Sequence, residues 1–127
     1  MGSKSTAIGF AALNAQNFTS ATDTYNTAVG HSAGISVTTG VKNTLIGGLA
    51  GDALTDADHN VAIGYVALSA DTLGSRSTAI GHGALFAQNF TSATDTYNTA
   101  VGNNAGAAVT TGISNTLIGG LAGDAFT

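Results

Sequence analysis

The stretch NTAVGHSAGIS at 26–36 decides how this chain folds, because its skeleton returns along the whole sequence. In chain order the related units are STAIGFAALNA (5–15), NTAVGHSAGIS (26–36), NTLIGGLAGDA (43–53), NVAIGYVALSA (60–70), STAIGHGALFA (77–87), NTAVGNNAGAA (98–108) and NTLIGGLAGDA (115–125). Their shared glycines, Gly9, Gly30, Gly47, Gly64, Gly81, Gly102 and Gly119, are spaced 21, 17, 17, 17, 21 and 17 residues apart. A longer period contains this one. Ser5–Thr55 aligned on Ser77–Thr127 matches at 41 of 51 positions with a shift of 72, so four units make a super-repeat at 5–76 and a partial copy fills 77–127.

Each column of the alignment has a physical reading. One residue before the glycine stands Ile or Val in every unit, and three before it stands Thr or, once, Val61. β-Branched residues at alternate positions favour an extended strand. Between them lies Ala five times and Leu twice (Leu45 and Leu117), so both faces of the strand are apolar or nearly so. The glycine suits a bend with positive φ or a close backbone approach. Ala recurs three residues after it and Ala or Ser36 six after it, which marks tight packing and predicts a second, shorter strand. Asn or Ser four before it suits a turn or an amide ladder between stacked coils. Strand, bend, second strand and turn, repeated every 17 residues, describe one winding of an all-β parallel solenoid. Helices lose because the β-branched columns alternate with period two and glycine interrupts each unit.

At ~4.8 Å per coil, seven coils make a rod roughly 34 Å long. The expected interior is the Ile/Val column, Ile63 included, which leaves Ala and Leu facing outward. An outward apolar stripe of that length predicts burial against other copies, worth roughly 25 cal/mol per Å².

Composition agrees with a rod rather than a thick globule. Only ten residues are charged, seven Asp, two Lys and one Arg, while Gly reaches eighteen and both Pro and Cys are absent. Without Cys there is no disulfide framework. The net charge of −4 argues against nucleic acid, which asks for a basic patch. The longest apolar run, near Val61 to Ala70, is far short of the ~20 residues of a membrane span. The opening MGSK has no apolar segment of a signal peptide and reads as a cloning remnant at 1–4, ahead of a single repeat domain at 5–127.

The motif [NS]-x-[AL]-[IV]-G followed by small residues resembles the head repeats of trimeric autotransporter adhesins. That resemblance implies a left-handed parallel β-roll of about seven coils, three chains packed about a common axis. The 17-residue units with Thr-Thr-Gly turns, VTTG at 37–40 and 109–112, look more like related repeats of phage tail fibres. The function implied is a structural and attachment segment of a homotrimeric fibre on a virion tail or a bacterial outer surface, without enzymatic activity or cofactor. An adhesin head is the alternative, and an ice-binding solenoid with Thr ladders a second one.

Candidate site residues are sought where the repeat departs from itself. NFTSATDTYNTAVG occurs identically at 17–30 and 89–102, in the two coils that carry four extra residues. An insertion in a solenoid emerges as a loop on one face. Phe18, Asp23 and Tyr25, with Phe90, Asp95 and Tyr97, are therefore the expected contact residues for a host glycan or protein receptor. The competing reading is that the rings cover a neighbouring coil or a seam between chains. Other constellations carry less. His31 and His82 are three coils apart, about 14 Å, too far to share a metal. His59 with Asp56 and Asp58 reads as a solvated turn, a weak cation site being the alternative, and no metal-ligand set is expected. GGLAGD at 47–52 and 119–124 lacks the Lys and the helix of a phosphate loop, and its spacing misses that of a calcium repeat; it reads as a bend. No nucleophile and base stand at a catalytic spacing.

Overall fold

In the computed structural model, which describes residues 2–124, each unit contributes one strand to a single parallel sheet. The seven strands are β2 (Thr6–Ile8), β4 (Thr27–Val29), β5 (Thr44–Ile46), β6 (Val61–Ile63), β8 (Thr78–Ile80), β10 (Thr99–Val101) and β11 (Thr116–Ile118), stacked in chain order and in register. Thr6 pairs with Thr27, Thr27 with Thr44 and Thr44 with Val61, and so on along the rod. Two short pairs flank this sheet, β1 (Gly2–Ser3) with β3 (Thr22–Asp23) and β7 (Gly74–Ser75) with β9 (Thr94–Asp95). The parallel β-solenoid of about seven turns is thus the fold. Among the described residues there is no helix, and so none long and apolar enough to cross a membrane.

The expected strand after the glycine is instead a run of turns. Backbone geometry explains how it stays laddered. Among the described residues positive φ occurs at sixteen non-glycine and twelve glycine positions, and all of them fall on four positions of the coil: the motif glycine, five before it, two after it and four after it. Left-handed residues at alternate positions curl the chain while its amides keep pointing along the rod. Ser32 N donates to Phe10 O at 2.8 Å, Leu13 N to Ala33 O at 3.1 Å and Gly34 N to Ala50 O at 3.0 Å, each bond crossing to a neighbouring coil. Side chains other than glycine pay about 1–2 kcal/mol apiece for that conformation, which the ladder must offset.

The inside and outside of the strand are opposite to the expectation. Ala28, Leu45, Ala62, Ala79 and Ala100 are fully buried, whereas Ile63 is half-exposed and Ile8 and Ile118, at the ends of the stack, are 59% and 70% exposed. The outer sheet face therefore carries the Thr and Ile/Val columns. Volume is the reason. The coil is so narrow that its interior holds at most two leucines per layer, Leu45 and Leu54 in the third, and a continuous column of Ile and Val would not fit beside the Ala column three after the glycine.

That limit is visible in a size exchange between two columns. Where the inward strand residue is Ala, the residue four after the glycine is often Leu, as with Leu13, Leu68 and Leu85. Where it is Leu, glycine makes room: a β-carbon on Gly34 or Gly51 would come within 2.6 or 2.8 Å of the Leu45 methyls, and one on Gly106 within 2.7 Å of Leu117.

Between layers the polar column four before the glycine works as a clamp. The Asn43 and Asn60 amide nitrogens donate at 2.9 Å to the side-chain carbonyls of Asn26 and Asn43. Their own Nδ2 groups reach on to the next turn, Asn26 to Gly40 O at 2.8 Å and Asn43 to Ala57 O at 2.7 Å. These side chains are buried and fully paired, which is the condition for polar groups inside so thin a core.

Two expectations follow. Gly64→Ala places a methyl under 3.0 Å from the Gly81 backbone, whereas Gly119→Ala meets nothing within 4 Å and suffers only from its φ of +124°. Gly119→Ala should cost about 1–3 kcal/mol, and Gly64→Ala clearly more; equal losses of Tm would refute the close-approach argument. Leu45→Ala should cost about 2–5 kcal/mol as a core cavity, as read in denaturant melts.

Candidate functional site

The two long coils turn their extra residues into a short excursion that leaves the rod and returns. Asn17 N still donates to Thr38 O at 3.0 Å and Asn89 N to Thr110 O at 3.0 Å. Phe18 and Phe90 then fold inward and are only 9% and 8% exposed, and Thr19 to Ala21 and Thr91 to Ala93 form the exposed tip. The chain rejoins the solenoid as β3 and β9. In the second copy the return is anchored by Asp71 of the preceding coil. Its buried carboxylate accepts from Gly74 N at 3.1 Å, Phe90 N at 3.0 Å and Gln88 Nε2 at 2.6 Å. Gln88 also donates to Ser77 Oγ at 2.8 Å and accepts from Asn98 Nδ2 at 2.8 Å. In the first copy Gln16 reaches Ser5 and Thr24 in the same way, at 3.2 Å each.

Of the six residues expected at the site, the structure brings Asp23 and Tyr25 together, and Asp95 and Tyr97, on the surface. The phenylalanines are turned away from it. Tyr25 and Tyr97 are 50% and 57% exposed and hold φ of +52° and +51° at the corner five residues before the glycine. Tyr25 Oη lies 3.4 Å from Asp23 Oδ2, and Tyr97 Oη 3.3 Å from Asp95 Oδ2.

Each pair has a third member that the sequence reading missed. Lys4 Nζ contacts Asp23 Oδ2 at 2.7 Å and Tyr25 Oη at 3.2 Å, and sits 5.2 Å from the Tyr25 ring centroid. Arg76 Nε contacts Asp95 Oδ1 at 2.9 Å, with its guanidinium 5.9 Å from the Tyr97 centroid. Hydrogen bonding to Asp23 raises the Lys4 pKa above its usual value, helped by Tyr25, and hydrogen bonding to Asp95 raises that of Arg76. Gly2, Ser3 and Lys4 pair in the register of Gly74, Ser75 and Arg76, and belong to the first coil. Met1 lies outside the described residues. Extending the alignment by three residues, GSK on GSR, was the available signal.

The other constellations resolve individually. His31 stacks on Phe10 of the preceding coil at 5.4 Å, and His82 on Tyr65 at 5.8 Å. Asp56 accepts the Thr39 hydroxyl at 2.6 Å and Asp58 accepts Val41 N at 2.8 Å, so both carboxylates tie neighbouring turns together. Among the described residues no group of three His, Cys, Asp or Glu side chains converges on a metal position. In GGLAGD, Gly47 is a motif glycine and Gly51 makes room for Leu45 and Leu54.

Asp52 in that stretch is a half-buried carboxylate whose Oδ1 has no partner. Desolvation raises its pKa, against a smaller opposing pull from the backbone amides of Asp52 and Ala53. The native chain therefore binds this proton more tightly than the unfolded one, and stability falls as pH rises from the ordinary value of 3.8 through the raised one. Asp52→Asn should raise Tm at pH 7, and the gain should fade on acidification below pH ~4; a constant or growing gain in acid would contradict the assignment.

Among the described residues the surface thus offers two like groupings of cation, carboxylate and phenol, four coils apart, and no cleft in which an acid and a base face one another. Comparison of the chain with protein-family models, with curated proteins and with solved structures finds no match.

Proposed function

We propose that this chain is a shaft and attachment segment of a homotrimeric fibre exposed on an extracellular surface, of a virion tail or of a bacterium, with no enzymatic role. The observation that carries the reading is the outer face of the seven-stranded sheet. It presents the Ile/Val column from Ile8 to Ile118 beside the Thr column, and no charged residue stands in either. An apolar stripe running the length of a rod is the feature that association removes from water. It is a better seam than the Ala/Leu stripe first expected, because β-branched side chains present more area. The charges lie elsewhere: Lys4, Lys42 and Arg76 all occupy the corner five before the glycine, with Asp23, Asp58 and Asp95 close along the same edge. A trimer that buries the sheet face would leave that edge in solvent. The motif's resemblance to trimeric adhesin heads and to tail-fibre repeats supports the same assembly and does not separate the two owners.

An ice-binding role is the second reading, and one feature favours it. The Thr column stands half-buried on the outer face of the sheet with in-register spacing, next to methyl-bearing Ile and Val. Such a face must stay uncovered to meet ice, so the two readings oppose each other on one measurement.

Light scattering at micromolar concentration should give three times the 12.4 kDa chain mass. Ile63→Asp, placed on the outer face, should keep the β-sheet circular dichroism of the parent while lowering the mass to one chain. A monomeric parent with thermal hysteresis would replace the fibre reading by the ice-binding one. An Ile63→Asp variant that stays trimeric would move the seam off this face.

A further inference from the structure

We propose that Lys4, Asp23 and Tyr25, and again Arg76, Asp95 and Tyr97, form two equivalent surface sites for a neutral pyranose glycan. The proposal deepens the attachment part of the reading above and rests on it. Three observations lead there.

The first is where the charges went. A chain with three cations in 127 residues places all three at one corner of the coil, and two of its three tyrosines share that corner. The left-handed backbone is common to every coil, so it does not single out these residues; what stands on it does. Lys42 and His59 occupy the corner in the intervening coils, where the cation–π contacts found at Tyr25 and Tyr97 are not repeated among the described residues.

The second is the copy. Across the 72-residue shift Asp23 and Tyr25 become Asp95 and Tyr97 unchanged, and Lys4 becomes Arg76. The cation changes its shape and keeps its charge, its carboxylate partner and its place beside the ring. By contrast Phe10, next to the site in sequence, becomes His82, and Lys42 becomes Ser114.

The third is the chemistry on offer. A tyrosine ring about half exposed, with a cation near it, leaves ring surface for the apolar C–H face of a sugar. Beside it, a carboxylate accepts from one hydroxyl while the ammonium or guanidinium donates to its neighbour. Vicinal sugar hydroxyls match that acceptor and donor set, and such bonds are charge-assisted. Because each ion pair is neutral as a whole, the site has no preference for an anionic sugar. Each site is shallow and its single-sugar affinity is weak. Two of them four coils apart, roughly 19 Å, and repeated around a trimer, select a polymer through effective concentration. Phe18 and Phe90 are buried and take no part.

The opposing view is that each triad only latches the long coil to its predecessor. Affinity electrophoresis through gels containing dextran, mannan or laminarin, with polygalacturonate as the anionic control, separates the two. At least one neutral polymer should retard the protein, and polygalacturonate should not. Tyr25→Asn with Tyr97→Asn removes both rings while placing at the corner a residue that tolerates the left-handed backbone; it should weaken retardation at least tenfold and leave Tm unchanged. Tyr25→Trp with Tyr97→Trp should keep it, and Arg76→Lys should keep it, since the first copy already uses Lys4. Retention by none of the three neutral polymers, equal retention by the anionic one, or binding that survives the double Asn variant overturns the proposal. A double Asn variant that melts early, with Trp variants that do not bind, assigns the triads to the latch. Light scattering on the same samples keeps the readings apart: a trimer that ignores glycans loses only the sites, and a monomer that binds them loses only the fibre.

Discussion

Each coil of this rod lies so close to the next that the motif glycine faces a neighbouring carbonyl with no room for a β-carbon. From Gly9 to Gly102 an added methyl would come under 3.0 Å from the backbone of the following coil. The rest follows from that approach. Strands brought so near pair in register without a bulge, so like residues stack over like, and each column becomes a continuous line of one chemistry. The buried Asn side chains then find, at the same offset in every layer, an amide to accept from and a carbonyl to donate to. A core too small to hold a globular domain is sufficient here, because the ladder of bonds between coils shares the work.

The narrow interior also settles which strand face is which. Leucine and alanine go in because the cross-section admits them, and isoleucine and valine go out with threonine. An outward line of branched apolar side chains would be a liability on a single chain. In the assembly proposed above it would be the contact surface, and the charged corner, with its tyrosines and carboxylates, would be left to meet the surroundings.

Much of this was legible in the sequence. The glycine spacing and the alternating β-branched columns lead directly to stacked parallel strands, since no helix accommodates that period. The phase of the strand was not read correctly, because both of its faces are apolar and hydrophobicity alone does not choose between them. The exchange of Leu45 against Gly34 and Gly51, and of Leu117 against Gly106, does choose, and it is written in the sequence as a correlation between columns six or eleven residues apart. The turn after the glycine looked like a strand because its Ala residues are strand-sized, while left-handed positions held by Leu49, Val66 and Tyr97 give no compositional sign. At the candidate site Tyr and Asp were found from the copied stretch, and Lys4 and Arg76 were missed because they stand just ahead of Ser5 and Ser77, where the aligned repeat begins.

The pairing of large and small residues between coils has a consequence for how such a gene can lengthen or shorten. Loss of the third coil alone would remove Leu45 and leave the hollow at Gly34 unfilled; loss of the second would set Leu13 beside Leu45 without the glycine that accommodates it. Exchange between repeats in steps of four coils keeps every leucine with its glycine and every long coil with its polar anchor. Packing therefore admits unequal recombination in increments of 72 codons, each of which would bring one more surface triad with it.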